Sequence, residues 1–437
     1  MKIPYKKNNL FYWINLFYVI LILFMPNFIR NRTIIYSIDA KGYIAPDPWN
    51  RSNPWLSYSF SILEIFAVLY SFICNKNKKI INLIPVIATI IVKEIVRFIF
   101  GSTCIFQYGE IGDYSMILSL LVGYGCLLIL TTKPIKMDIE DILDLIIIIN
   151  FITQLLFVFT GRQNEYGGRY AALGSAVGAV GQMCFMYLMY FIFVRRSSKR
   201  SFFAITSCLL SLILSGSRSN LAFTLLFVIL FAYKIRGGLE KNKKKRNAIL
   251  ILVMAASILI PIIINIPSLS IFDKLFNRLE SFVSEMFSEN RSNYLDSDSS
   301  FSGRIMSMKA GFNILIDNPF GVSSSTIDLQ IRTQENGYYT FPHSTFLSYY
   351  LLWGPAALMI YSFMSKYIKR AIRVRSETIV ILVSTAISFL IYGAPTISSK
   401  SYFWYIAIFA YCKQEINRLY YNDSGITNSI IESDGTI

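Results

Sequence analysis

The stretch "TFPHSTFLSYYLLWGPAALM", residues 340–359, passes from a polar loop into an apolar run and carries His343, the single histidine of the 437-residue chain. Its fold depends on the solvent around that run. Hydrophobic residues make up 54% of the sequence and charged residues 16%, and the mean hydropathy is +0.48. That balance lies outside the range of soluble globular domains.

Apolar runs of the length a helix needs to cross a bilayer, about 20 residues, recur from end to end. They are predicted at 10–29, 55–74, 80–100, 114–132, 142–160, 173–194, 201–216, 219–235, 247–265, 343–364, 378–394 and 401–412. Backbone in lipid must satisfy its own hydrogen bonds, so these runs are read as helices. The expected fold class is an all-α integral membrane protein of about twelve transmembrane helices with one long extracytoplasmic loop. The corresponding division is a bundle of nine spans over 1–265, the loop over 266–342, and three spans with a cytoplasmic tail over 343–437.

A net charge of +16 raises the question of nucleic acid, but a nucleic-acid binder gathers its cations on one surface. Here they sit between the spans: "NKNKK" (75–79), "RRSSKR" (195–200), "RGGLEKNKKKR" (236–246) and "SKYIKRAIRVR" (365–375). If the spans alternate, these short basic loops share one side, which predicts a cytoplasmic location for them and for both termini. The charge then reports topology, with membrane lipids rather than nucleic acid as its partner. The first run has no small-residue cleavage pattern after it and reads as a retained span. Of six cysteines, Cys126, Cys184, Cys208 and Cys412 fall within predicted spans and Cys74 at a span end, leaving Cys104 in an outer loop, so no disulfide or zinc spacing is apparent.

The 266–342 loop has periodic segments. "IFDKLFNRLESFVSEMF" repeats apolar residues at helical spacing, which suits a helix on the membrane surface. "RIMSMKAGFNILI" is again periodic, with Ser302 or Gly303 placed to cap it and "DNPFG" to stop it. Asp296 and Asp298 in "DSDSS" have the spacing of metal-dependent sugar-nucleotide transferases, but a turn on the outer side is the better reading. In the third run Lys93, Glu94 and Arg97 are costly at membrane depth, and a structural ion pair, with Glu64 as another partner, is favoured over a polar pathway.

Arginines on the expected outer side are harder to explain, because that side should be depleted of them near span ends. Arg162 and Arg169 lie in "GRQNEYGGRY" (161–170), Arg218 in the tight turn "SGSRSN" (215–220), and Arg304 is expected in the first turn of its helix. One such arginine is usually an interfacial anchor. Four together point to an anionic ligand, diphosphate being apt, because guanidinium grips phosphate oxygens two at a time. A lone histidine is usually structural. At a helix N-terminus beside arginines, however, the positive potential favours neutral imidazole, the form a general base requires. No Walker loop, dinucleotide fingerprint or HExxH pattern is found.

These pieces resemble, in order, the superfamily of bacterial O-antigen polymerases of the Wzy type and O-antigen ligases. "SGSRSNLAF" is similar to its serine-and-arginine turn, "SGRIMSMKAGFNILIDNPFGV" to its outer-loop helix, and "FPHSTFLSYYLLWGPAAL" to its histidine-bearing span, with Pro355 in place of a second small residue. "GRYAALGSAVGAVGQ" corresponds less well to the arginine loop before the sixth span, because the usual Pro-Asn is absent. The resemblance implies a GT-C-like glycosyltransferase of the bacterial inner membrane. It implies use of a polyprenyl-diphosphate-linked oligosaccharide on the outer face, without metal, nucleotide or other cofactor. Arg218 and Arg304 would hold the donor diphosphate, with Arg162 and Arg169 as weaker assignments, and His343 would activate the acceptor hydroxyl. A chain-length regulator and a flippase would be further partners. A lipid-linked sugar flippase is the rival reading from another class. The six-residue link "RRSSKR" and the absence of two-fold sequence symmetry count against it.

Overall fold

The computed structural model describes residues 10–24, 36–38, 44–46, 54–74, 111–132, 135–159, 170–173, 177–194, 199–217, 299–322, 344–391 and 399–423, with isolated positions between them. Its helices are α1 (Leu10–Phe24), α2 (Pro54–Cys74), α3 (Ile111–Thr131), α4 (Ile139–Phe159), α5 (Val177–Phe193), α6 (Lys199–Ser215), α7 (Ser299–Asp317), α8 (Thr345–Trp353), α9 (Ala357–Arg373), α10 (Ile379–Ile391) and α11 (Ser399–Asp423). A short antiparallel hairpin, β1 (Tyr36–Ile38) with β2 (Ile44–Pro46), pairs Ser37 with Ala45. The all-α expectation holds for the architecture, and the hairpin is an addition to it.

Each apolar run except the third, eighth and ninth coincides with a helix, and those three fall largely outside the described residues. Among the described residues α4 alone is long and apolar enough to cross a bilayer by itself. The run at 343–364 is a broken helix, long and apolar enough for a span only as a bent pair. A 3-10 turn at Gly354–Ala356 separates α8 from α9, and the combined pair is bent by 54° between Met359 and Met364. Pro355 has no N–H to continue the helical ladder, which is why the chain tightens there. The surface helix expected at 271–287, together with Asp296 and Asp298, lies outside the described residues.

The chain forms two compact units, one of residues 1–142, 306–374 and 394–437, the other of 143–305 and 375–393. In the first, α3 packs against α1, α2 and α11. Lys400 lies fully buried with its ammonium 4.2 Å from the Phe24 ring, a cation–π contact that stabilises a charge removed from water. Lys93 is also buried, while Glu94 and Arg97 lie outside the described residues. Large apolar side chains, among them Trp13, Phe17, Ile62, Phe66 and Leu69, stand exposed on α1 and α2.

The second unit is built on α5, which is buried over most of its length and packs against α6 and α10. Polar side chains tie its helices together. The Tyr187 hydroxyl donates to the Asp144 carboxylate of α4, Gln182 Nε2 donates to Ser388 Oγ of α10 (3.3 Å), and Cys208 Sγ of α6 donates to the Cys184 carbonyl (3.4 Å). In apolar surroundings such links are worth roughly 1 kcal/mol each and select one packing of the helices. Cys126, Cys184, Cys208 and Cys412 are buried free thiols.

Candidate active site

The turn that carries Arg218 is held from both sides. At the end of α6, Ser215 Oγ donates to the Leu212 carbonyl (2.7 Å), and Gly216, at φ +55°, closes the helix by donating its N–H to Ile213 (2.9 Å). The Ser217 N–H then donates to Ser215 Oγ (3.3 Å), and Asn220 Nδ2 donates to Ser217 Oγ (2.7 Å). Ser217 and Asn220 therefore brace the turn across Arg218 and Ser219, which themselves lie outside the described residues. Both braces are buried, Asn220 completely. Read as sequence, this was a tight outer turn; its flanks prove to be part of the packed interior.

The opposing surface is Gly181 of α5, where a Cβ would come within 2.6 Å of Ser217 Cβ and 2.8 Å of Asn220 Nδ2. A Gly181→Ala substitution is expected to push the Arg218 turn away from α5 at a cost of about 1–3 kcal/mol. It should lower the catalytic rate more than donor affinity falls. Thermal unfolding in detergent and single-turnover transfer, measured on the same preparation, check this.

The loop of Arg162 and Arg169 lies outside the described residues, but its end is fixed by Tyr170. The Tyr170 N–H donates to the Leu214 carbonyl of α6 (2.9 Å), and its own carbonyl accepts from Gln154 Nε2 of α4 (2.7 Å). Gln154 Nε2 also donates to the Ser211 carbonyl (3.2 Å). The residue after Arg169 is thereby joined to the last turn of α6, four positions before Arg218. Gln154 and Tyr170 were missed by sequence reasoning, although an amide in an apolar run signals a polar group needing a partner.

A second cluster forms between α7 and α8. Ala310 and Ile314 of α7 pack with Val322 and with Leu347, Leu351, Leu352 and Trp353 of α8. Gly311 lies directly against Pro342, where a Cβ would meet the ring at 2.7 Å. Ser344 caps α8, its Oγ accepting from the Leu347 N–H (3.3 Å), and Ser348 Oγ donates to the Pro342 carbonyl (2.9 Å). His343 lies outside the described residues, but both of its neighbours are buried and hydrogen-bonded. It immediately precedes the cap, as expected for a residue at a helix N-terminus.

Arg304 sits on the backbone of α7, two turns before Gly311. Here one expectation is corrected. The helix starts at Ser299 rather than at Ser302 or Gly303, so Arg304 is past the first turn and no unpaired N–H groups surround its position. Serines at 299, 300 and 302 all suit a helix start, and the pattern alone pointed to Ser302 or Gly303. The other end agrees with the sequence. Asn318 Nδ2 and N–H both donate to the Ile314 carbonyl (3.1 and 2.8 Å), and Gly321 at φ +87° turns the chain out of the helix.

Among the described residues, those next to Arg169, Arg218 and His343 in the chain are thus buried and hydrogen-bonded. No curated protein matches the chain. Residues 202–362, from α6 to α9, match the family model described as O-antigen ligase, and Arg218, Arg304 and His343 all lie within the matched segment.

Proposed function

We propose that this protein is a multi-pass glycosyltransferase of the bacterial inner membrane that joins polyprenyl-diphosphate-linked repeat units on the outer face, as an O-antigen or capsular polysaccharide polymerase. The observation that carries the reading is the matched segment, residues 202–362, which contains Arg218, Arg304 and His343. The apolar faces left exposed on α1 and α2 support a lipid environment, because such surfaces are the ones soluble monomers avoid.

Arg218 and Arg304 hold the donor diphosphate, with Arg162 and Arg169 at the same anion. His343 takes the proton from the acceptor hydroxyl as its oxygen attacks the anomeric carbon. The glycosidic bond to phosphate breaks, and the lipid diphosphate leaves as an anion already stabilised by guanidinium, so one base suffices and no acid is required. A single displacement of this kind inverts the anomeric centre. Purified protein in lipid, given a defined lipid-linked repeat, should yield a linkage of opposite configuration to the donor; retention in the product spectrum would exclude direct displacement.

A ligase that transfers the glycan to lipid A core would use the same groups and is the second reading, favoured by the wording of the family description. Deleting the gene separates the two. Polymerase loss leaves single repeats on the surface, whereas ligase loss leaves polymer that is not attached. A flippase would move lipid-linked units across the bilayer and form no bond in the purified assay.

A further inference from the structure

Away from the site just described, α9 and α11 pack together within the first unit and bring an uncompensated group of cations to one place. Past Met364, α9 carries Lys366, Lys369, Arg370 and Arg373, all exposed, with no carboxylate among them. From α11 comes Lys413, half-buried, one residue beyond the last predicted span.

Tyr367 lies one turn before Arg370 on α9, and the Arg370 charge acts on it and, across the packed helices, on Lys413. Burial and the Arg370 charge together hold the Lys413 ammonium below the ordinary lysine pKa. Burial pushes the Tyr367 phenol up, with Arg370 pulling it back. The carboxylates nearby are engaged elsewhere: Glu415 pairs with Arg418, and Glu140 accepts from the Tyr411 hydroxyl (3.2 Å). Among the described residues no carboxylate lies within ion-pair distance of Lys413 or Arg370. Two like charges, one partly withdrawn from water, repel unless an anion lies between them.

We infer that Arg370 and Lys413, with the Tyr367 hydroxyl, bind the phosphate of an anionic phospholipid on the side of the basic loops. A phosphodiester offers two unbridged oxygens. Guanidinium can take both in its planar fork while the ammonium acts as a point charge. The arrangement differs from general attraction to an anionic surface in depending on two particular residues rather than on the sum of charges. It goes beyond glycosyl transfer and requires only that these helices lie in a bilayer.

The test is native mass spectrometry of the full chain released from detergent, titrated with phosphatidylglycerol or phosphatidylcholine. Phosphatidylglycerol should be retained about fivefold or more better, the scale of one charge-assisted contact. Arg370→Gln and Lys413→Gln should each remove most of that preference. Arg370→Lys should keep part of it, and Lys366→Gln, which removes a cation from the same helix, should change it by less than about twofold. Thermal midpoints of all variants exclude unfolding as the cause. Equal losses from Lys366→Gln and Arg370→Gln would mean a diffuse field and overturn the site. Equal retention of the two lipids would overturn anion recognition. Displacement of phosphatidylglycerol by millimolar inorganic phosphate would reassign the site to a soluble anion and overturn the lipid assignment.

Discussion

Replacing His343 with alanine is expected to lower the rate of glycosyl transfer by about 10²–10⁴-fold, the usual worth of a positioned general base, while the thermal midpoint of the protein hardly moves. The small stability effect follows from the frame around the residue. Ser344 caps α8 through its own side chain, and Ser348 Oγ holds the Pro342 carbonyl, so neither bond requires the imidazole. A base acts in its neutral form. Single-turnover rates in the parent protein should therefore fall with an inflection as the medium is made more acid, and this inflection should vanish in the variant. Arg218→Lys tests the partner role. Lysine keeps the charge but cannot grip two oxygens at once, and a loss of roughly 10–100-fold is expected mainly in the rate constant. A His343→Ala protein that retained a third of the parental rate, with the pH inflection intact, would remove the imidazole from the mechanism.

The second large effect is expected at Gly354, and it acts through the fold. This residue sits at φ +57°, ψ −146°, close to a region of backbone space that only glycine occupies readily. A Cβ there would come 2.1 Å from the Phe320 carbonyl oxygen, on the segment that leads out of α7. That contact belongs to a close junction in which the Val322 N–H donates to the Leu351 carbonyl (2.7 Å) and Gly321 lies against Gly354. Gly354→Ala must therefore both strain its own backbone, at about 1–3 kcal/mol, and separate α7 from α8, at a similar further cost. Since α8 begins beside Pro342, activity should fall with stability. Pro355→Ala, which removes no such contact, is expected to stay within about 1 kcal/mol of the parent. Thermal unfolding and size-exclusion profiles of the two variants in detergent provide the comparison. An unchanged midpoint in Gly354→Ala would show that the junction between α7 and α8 does not hold the helices.

The course of the helices was largely visible in the amino-acid order, because an apolar run of bilayer length has few alternatives to a helix. Runs at 142–160 and 201–216 coincide closely with α4 and α6. The stop at "DNPFG" was equally plain, since asparagine, proline and glycine end helices by local chemistry alone. Less visible was anything that depends on a distant partner. The break in the run at 343–364 needed both Pro355 and the docking of Phe320 on Gly354, and only the proline can be read locally. The links Asp144 to Tyr187 and Gln182 to Ser388 join residues far apart in the chain, so no window of sequence reveals them. At the site, residue types singled out Arg218 and His343, whereas Ser217, Asn220 and Gly181, which position the first of these, look like ordinary turn and helix residues until they are seen together.

The four interior thiols have a practical consequence. Sulfhydryls closed off from solvent react slowly with maleimides, so Cys126, Cys184, Cys208 and Cys412 leave the chain nearly silent toward such labels once Cys74 and Cys104 are replaced. A reporter cysteine introduced next to Arg162 or Arg304 could then be tagged in intact cells with an impermeant dye, and the orientation of each arginine loop read directly from fluorescence.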